Sequence, residues 1–220
     1  YWTGDGPRAD PKAANGIGWA WPTADKKPAP EFLQKWSEVL REYALRYGDK
    51  VSGFWIDGCH AWRGYDDSNL RVYHDAIRAG NPSALIALNN MPQNPLDQPA
   101  RNWSNGGEVS GWEDFTAGES NDFTDVPNSR WVTGTVPGAT GNPRNFTVQW
   151  HALAFLGRTW GASGLSISAT QLAEYTRKVQ AVGGVISVDL QLFRNGSLNA
   201  QQVALLAHAW KGPSQAVLTW

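Results

Sequence analysis

Apolar and polar residues alternate along this chain in two distinct periods. In EFLQKWSEVLREYALRYG (31–48), Phe32, Leu33, Trp36, Val39, Leu40, Tyr43, Ala44 and Tyr47 recur at helical spacing. That spacing predicts an amphipathic helix opened by Pro30 and closed by Gly48. VSGFWID (51–57) is a short apolar run and predicts a buried strand. SNLRVYHDAIRAG (68–80) predicts a second helix with Ser68 as N-cap, and ALIALNN (84–90) a second buried strand. GEVSGWEDFTAGE (107–119) holds one short strand at about 109–116, and RWVTGTV (130–136) holds another. NFTVQWHALAFLG (145–157) and ATQLAEYTRKVQA (169–181) read as helices. GGVISVDLQL (183–192) reads as a strand, and NAQQVALLAHAW (199–210) as a last helix capped by Asn199. Residues 1–30, rich in Gly, Pro, Asp and Lys, read as a long loop, and 211–220 as an extra strand or a disordered tail.

Short apolar strands alternating with amphipathic helices define an α/β class with a parallel sheet. No repeat and no linker divides the chain, so residues 1–220 read as a single domain. About five strands and five helices fall short of the eight of each in a (β/α)8 TIM-type barrel, which usually needs about 250 residues. The pattern therefore predicts a partial or truncated barrel that lacks its N-terminal strands.

Composition narrows the function. The net charge is −1, without a block of either sign, which argues against nucleic acid or a membrane surface as partner. No apolar run is long enough to span a bilayer. Cys59 is the sole cysteine, so there is no internal disulfide and no cysteine cluster for a metal. The four histidines lack close ligand spacing, and no metal or organic cofactor is expected. Tryptophan is the outlier, at 13 residues. Indole rings suit the C–H faces of sugars, so the excess leans toward a carbohydrate ligand. The sequons Asn102-Trp-Ser, Asn145-Phe-Thr and Asn195-Gly-Ser lean weakly toward a secreted or periplasmic protein.

Parallel α/β folds carry their active sites at the C-terminal strand ends. Asp57 ends the first clear strand, Asn89 and Asn90 the second, Glu113 and Glu119 the third, and Asp189 the last. Burying an unpaired aspartate after Phe-Trp-Ile would be expensive. Asp57 is thus either a nucleophile or base, or an ordinary loop cap. A carboxylate pair on a Trp-rich face suits glycoside hydrolysis, in which one carboxyl attacks or activates water and the other protonates the leaving oxygen. Trp55, Trp62, Trp112 and Trp131 are candidate sugar platforms, and Trp55 shares a strand face with Asp57. Asn89, His60 and Asp189 are candidate hydroxyl ligands, with His151 behind them. A Cys59–His60 nucleophile pair is disfavoured, because neighbours in a turn rarely face each other.

Four stretches resemble the C-terminal part of an α-L-fucosidase of glycoside hydrolase family 29, in a divergent branch. VSGFWIDG resembles the fourth barrel strand, which implies that Asp57 is the nucleophile. SGWEDFTAGE resembles the segment ending in a Thr-Ala-Glu motif, which implies that Glu119 is the acid/base. Here Gly118 is an extra residue before that glutamate, and Glu113 stands as the reserve acid/base. FLGRTWG (155–161) and GGVISVDLQLFRNGSLNAQQ resemble the helix-and-turn and the final strand that follow. The likeness covers roughly 31–210 and implies that three barrel strands precede this region. An uncovered parallel edge is a liability, so a homo-oligomer covering the open barrel edge is expected if the chain is whole.

The resemblance implies a retaining exo-glycosidase that hydrolyses α-L-fucosides by double displacement, with transfucosylation left open. Its partner would be a fucosylated oligosaccharide or glycoside. Other readings are a non-catalytic carbohydrate-binding partial barrel, a glycosidase for rhamnose or galactose, and an inactive fragment.

Overall fold

The computed structural model describes residues 2–3, 28, 30–59, 65–89, 111–119, 122–137 and 143–210. The chain divides into two compact units, 1–117 with 131–149, and 118–130 with 150–220.

The first unit opens with β1 (Trp2–Thr3), so the predicted loop at 1–30 contains a short strand. Helix α1 (Pro30–Tyr47) ends in a 3-10 turn at Gly48–Lys50, and β2 (Gly53–Asp57) follows. Helix α2 (Asp67–Arg78) and β3 (Leu85–Leu88) complete the helix–strand repeat read from the sequence. The three strands run parallel in the order β1-β2-β3. Beyond β3 the Asp114 amide donates to the Ile86 carbonyl, and Phe115 bridges Gln149 in parallel. Of the strand expected near 109–116, residues 109 and 110 lie outside the described residues, and the rest holds bridge pairing at Phe115 rather than a full ladder.

Two helix faces cover one side of this sheet. Leu33, Leu40 and Ala44 of α1 and Leu70, Tyr73 and Ile77 of α2 pack on Phe54, Ile56, Ile86 and Leu88. Strand alternation turns Trp55 and Asp57 to the other side, where Trp55 lies opposite the small Ala87. The cap of α2 differs from expectation. Asp66, not Ser68, is the N-cap, and its Oδ1 accepts from the Ser68 and Asn69 amides at 3.0 and 3.1 Å. Asn69 returns the bond to the Asp66 amide, closing a capping box.

Strands β4 (Trp131–Pro137) and β5 (Pro143–Gln149) form an antiparallel pair in the same unit. This corrects the helix expected at 145–157, because β5 and β6 (His151–Phe155) occupy that stretch. Exposure along β5 alternates with period two, and β6 is buried on both sides. Such short apolar runs look alike in either period, and ladder partners decide between them.

In the second unit β6 pairs in parallel with β7 (Val185–Asp189), and Glu119 bridges Leu153 on the other side of β6. Helices α3 (Ala169–Ala181) and α4 (Ala200–Trp210) match the sequence reading. Leu156, Leu172 and Leu205 form their shared core with Phe123, Val188 and Leu206. Asn199 Oδ1 accepts from the Gln201 and Gln202 amides, so the expected cap is in place. Gln202 is fully buried and fully used: its amide donates to the Ala162 and Gly164 carbonyls and its oxygen accepts from the Gln191 amide. Among the described residues the parallel pairs and four helices make an α/β fold, and no helix is long and apolar enough to cross a membrane.

Candidate functional site

Asp57 closes β2, and the in-register parallel pairing brings Asn89 beside it. Ile56 pairs with Leu88, and the Asn89 amide donates to the Ile56 carbonyl. Asn89 Nδ2 then donates to Asp57 Oδ1 at 2.9 Å. The Gly58 amide donates to the same oxygen at 2.7 Å. Gly58 has φ of +79°, a backbone conformation that L side chains rarely adopt, and this turn brings its amide onto the carboxylate. Asn89 itself is buried. Two donors, one on a neighbouring strand and one in the adjacent turn, orient the half-buried Asp57 carboxylate. Trp55, on the same face, donates its indole N–H to the Ala117 carbonyl at 3.1 Å.

Glu113 lies in this unit and is only 6% exposed, with the Trp112 amide donating to its Oε2 at 3.1 Å. Trp112 is committed to packing. Its indole N–H donates to the Asp67 carbonyl at 2.8 Å, and the Arg144 guanidinium lies 3.4 Å from its ring centroid. The ring face under Arg144 is closed to a sugar, and the cation–π contact helps hold the indole in place. Arg144 also donates to the Gly111 carbonyl and lies 3.9 Å from Asp67. Trp131 is 47% exposed at the start of β4.

In the second unit Glu119 is half-buried and follows Gly118, whose φ is +61°. A Cβ at Gly118 would run into the His151 carbonyl oxygen, so only glycine fits this close approach. The Leu153 amide donates to the Gly118 carbonyl at 2.8 Å, which ties the glutamate to β6. His151 is buried with Nε2 2.8 Å from Ser187 Oγ, so this ring nitrogen faces a strand neighbour. Asp189 Oδ2 accepts from the Gly161 amide at 2.7 Å, bracing the loop after β6. His60 and Trp62, both expected to touch sugar, lie outside the described residues.

Sequence reasoning missed the residues that act between elements. Asp114 accepts from Arg78 and from the Ile86 amide, at 2.7 and 2.9 Å, joining α2, β3 and the following segment. Arg144 and Ser187 were missed in the same way. Their partners are 32 or more residues away, and no local pattern marks such pairs. Among the described residues no group of three His, Cys, Asp or Glu side chains could hold a metal.

No protein-family model and no curated protein sequence matches the chain. Solved structures resemble it. MfFcnA9, an endo-fucoidan hydrolase from glycoside hydrolase family 107, matches with a TM-score of 0.61 and 19% identity, over 91% of this chain and 39% of its own. P5AFcnA, an endo-fucoidan hydrolase of the same family, matches with a TM-score of 0.59 and 15% identity, over 81% and 55%. The alpha-L-fucosidase AlfC from Lactobacillus casei matches with a TM-score of 0.51 and 16% identity, over 81% and 44%. The fold is glycosidase-like. At these identities the likeness is one of fold, and it takes in endo-fucoidan hydrolases of family 107 as well as an alpha-L-fucosidase. The chain covers only 39% to 55% of the length of these three structures.

Proposed function

We propose that the chain is part of a fucose-acting glycoside hydrolase built on a (β/α)8 barrel, working by retaining double displacement. Asp57 attacks the anomeric carbon, and the bond to the leaving oxygen breaks as Glu119 protonates that oxygen. Glu119 then takes a proton from water, which releases the sugar from Asp57. Glu113 is the reserve acid/base. The observation that carries this reading is the Asp57 carboxylate at a parallel strand end, oriented by Asn89 and the Gly58 amide. An oriented nucleophile loses little further freedom on the way to the transition state. The fucose-processing activities in the names of the structural neighbours supply the substrate class. Trp55 and Trp131, with Trp62 and His60, are the sugar contacts to test first. Asn89, which also donates to Asp57, and Asp189, which also accepts from the Gly161 amide, are the hydroxyl contacts to test next.

Two substrate modes belong to this proposal. Exo cleavage of an α-L-fucoside follows from the sequence resemblance, and endo cleavage of a fucan from the higher TM-scores of the endo-fucoidan hydrolases. The experiment is hydrolysis of an aryl α-L-fucoside and of a fucan polymer, with Asp57→Ala and Glu119→Ala alongside. Expected are loss of turnover in Asp57→Ala and azide rescue of Glu119→Ala. Release from the aryl glycoside alone selects the exo mode, and polymer shortening selects the endo mode. A folded parent chain that binds sugar without turnover would leave a carbohydrate-binding partial barrel in its place.

A further inference from the structure

The second unit holds a cavity of about 480 Å³ between the 122–126 segment and α3. That volume suits a small ligand. It contains neither Asp57 nor Glu119, so it lies outside the site proposed above. Its wall is part aromatic: Phe123 and Tyr175 meet edge to face, with centroids 5.6 Å apart. Its rim is polar, with Asp122, Thr124, Glu174 and Lys178. Tyr175 is 5% exposed, and its hydroxyl has no hydrogen-bond partner among the described residues. A buried hydroxyl without a partner is rare in a settled core, and it marks a place where a ligand can supply the missing bond.

The geometry points to a saccharide-binding site here, for one neutral sugar ring packed on Phe123. The sugar's C–H face suits the aromatic wall, and its hydroxyls can donate to Asp122 and Glu174 and accept from Lys178. The Tyr175 hydroxyl, closed to solvent without a ligand, gains its partner as the sugar seats. The phenol is pushed above the usual tyrosine range by burial first, then by Asp125 and Asp122, so it remains a proton donor. The same charges set selectivity. Asp122, Asp125 and Glu174 stand against one lining cation among the described residues, Lys178. The site therefore favours a neutral sugar over a sulfated one.

The test is an NMR titration of the whole chain carrying Asp57→Ala, which removes turnover from the readout. The probes are methyl α-L-fucoside and its monosulfate ester. Expected is saturable movement of the Thr124, Gln171 and Tyr175 amide signals with the neutral sugar, and at least fivefold weaker binding of the sulfate ester. Glu174→Ala should weaken the neutral sugar about tenfold, as loss of a charge-assisted hydrogen bond does. Tyr175→Phe should weaken it severalfold while leaving the melting temperature unchanged or higher, because the lost hydroxyl has no partner among the described residues. No saturable shift at these amides would overturn the proposal. So would tighter binding of the sulfate ester, or unchanged affinity in both variants. Lost catalysis in the parent would count against the proposed hydrolase and leave this result intact.

Discussion

At the residue scale, Asp57 and Tyr175 show how much one side chain owes to its neighbours. Asp57 was legible as a candidate because an apolar strand ended in a carboxylate. Its two donors were not, since Asn89 reaches it only through the register of β2 and β3. Tyr175 carried no signal at all beyond its place on the buried face of a helix. Its environment has a measurable consequence. The phenol is raised above 10.0 in the folded chain, chiefly by burial. Below pH 10 both folded and unfolded states hold the proton, and the group has no pH-linked effect. Above it the unfolded state ionises first and binds fewer protons, so stability falls as pH rises. The loss approaches about 1.4 kcal/mol per pH unit for this single group. Urea unfolding between pH 8 and 11 should show a steeper alkaline decline in the parent than in Tyr175→Phe.

At the element scale, periodicity read α1, α2, α3, α4, β2, β3 and β7 from their apolar spacing. It failed at 145–157, where β5 and β6 stand in place of a helix. Phe146, Thr147, Val148 and Trp150 favour strands, yet a short apolar run in isolation fits both periods. Strand pairing settled it: β4 covers one edge of β5, and β7 pairs with β6. Helix ends were legible to within a residue or two. The capping box of Asp66 and Asn69 gives α2 a specific start. Asp66→Ala should cost about 1 kcal/mol of stability. Ser68→Ala should cost less, because its amide still donates to Asp66. Paired chemical denaturation of the two variants checks the order, and equal losses would return Ser68 to the role the sequence suggested.

At the scale of the whole molecule, the proposed carboxylates belong to different compact units, Asp57 to the first and Glu119 to the second. Glycosidases of the two stereochemical kinds differ in general: double displacement uses a carboxyl pair about 5–5.5 Å apart, and inversion one roughly 6.5–9.5 Å apart that admits a water. The proposed mechanism is of the first kind. Retention should therefore appear as the α anomer in the first-formed product by proton NMR. An initial β anomer would exclude Asp57 as the covalent nucleophile. The amino-acid sequence by itself determined the α/β alternation, the apolar face of α1, and a carboxylate at the end of β2. These follow from spacing within a few residues, where burial and backbone geometry act locally. Only the tertiary structure decided that Asn89 holds Asp57, that Arg144 covers Trp112, and that β5 and β6 stand where a helix was expected. It also decided that Tyr175, its hydroxyl buried, belongs to the wall of a cavity. Each of these depends on groups far apart in the chain, whose meeting is set by strand register and packing rather than by any local pattern.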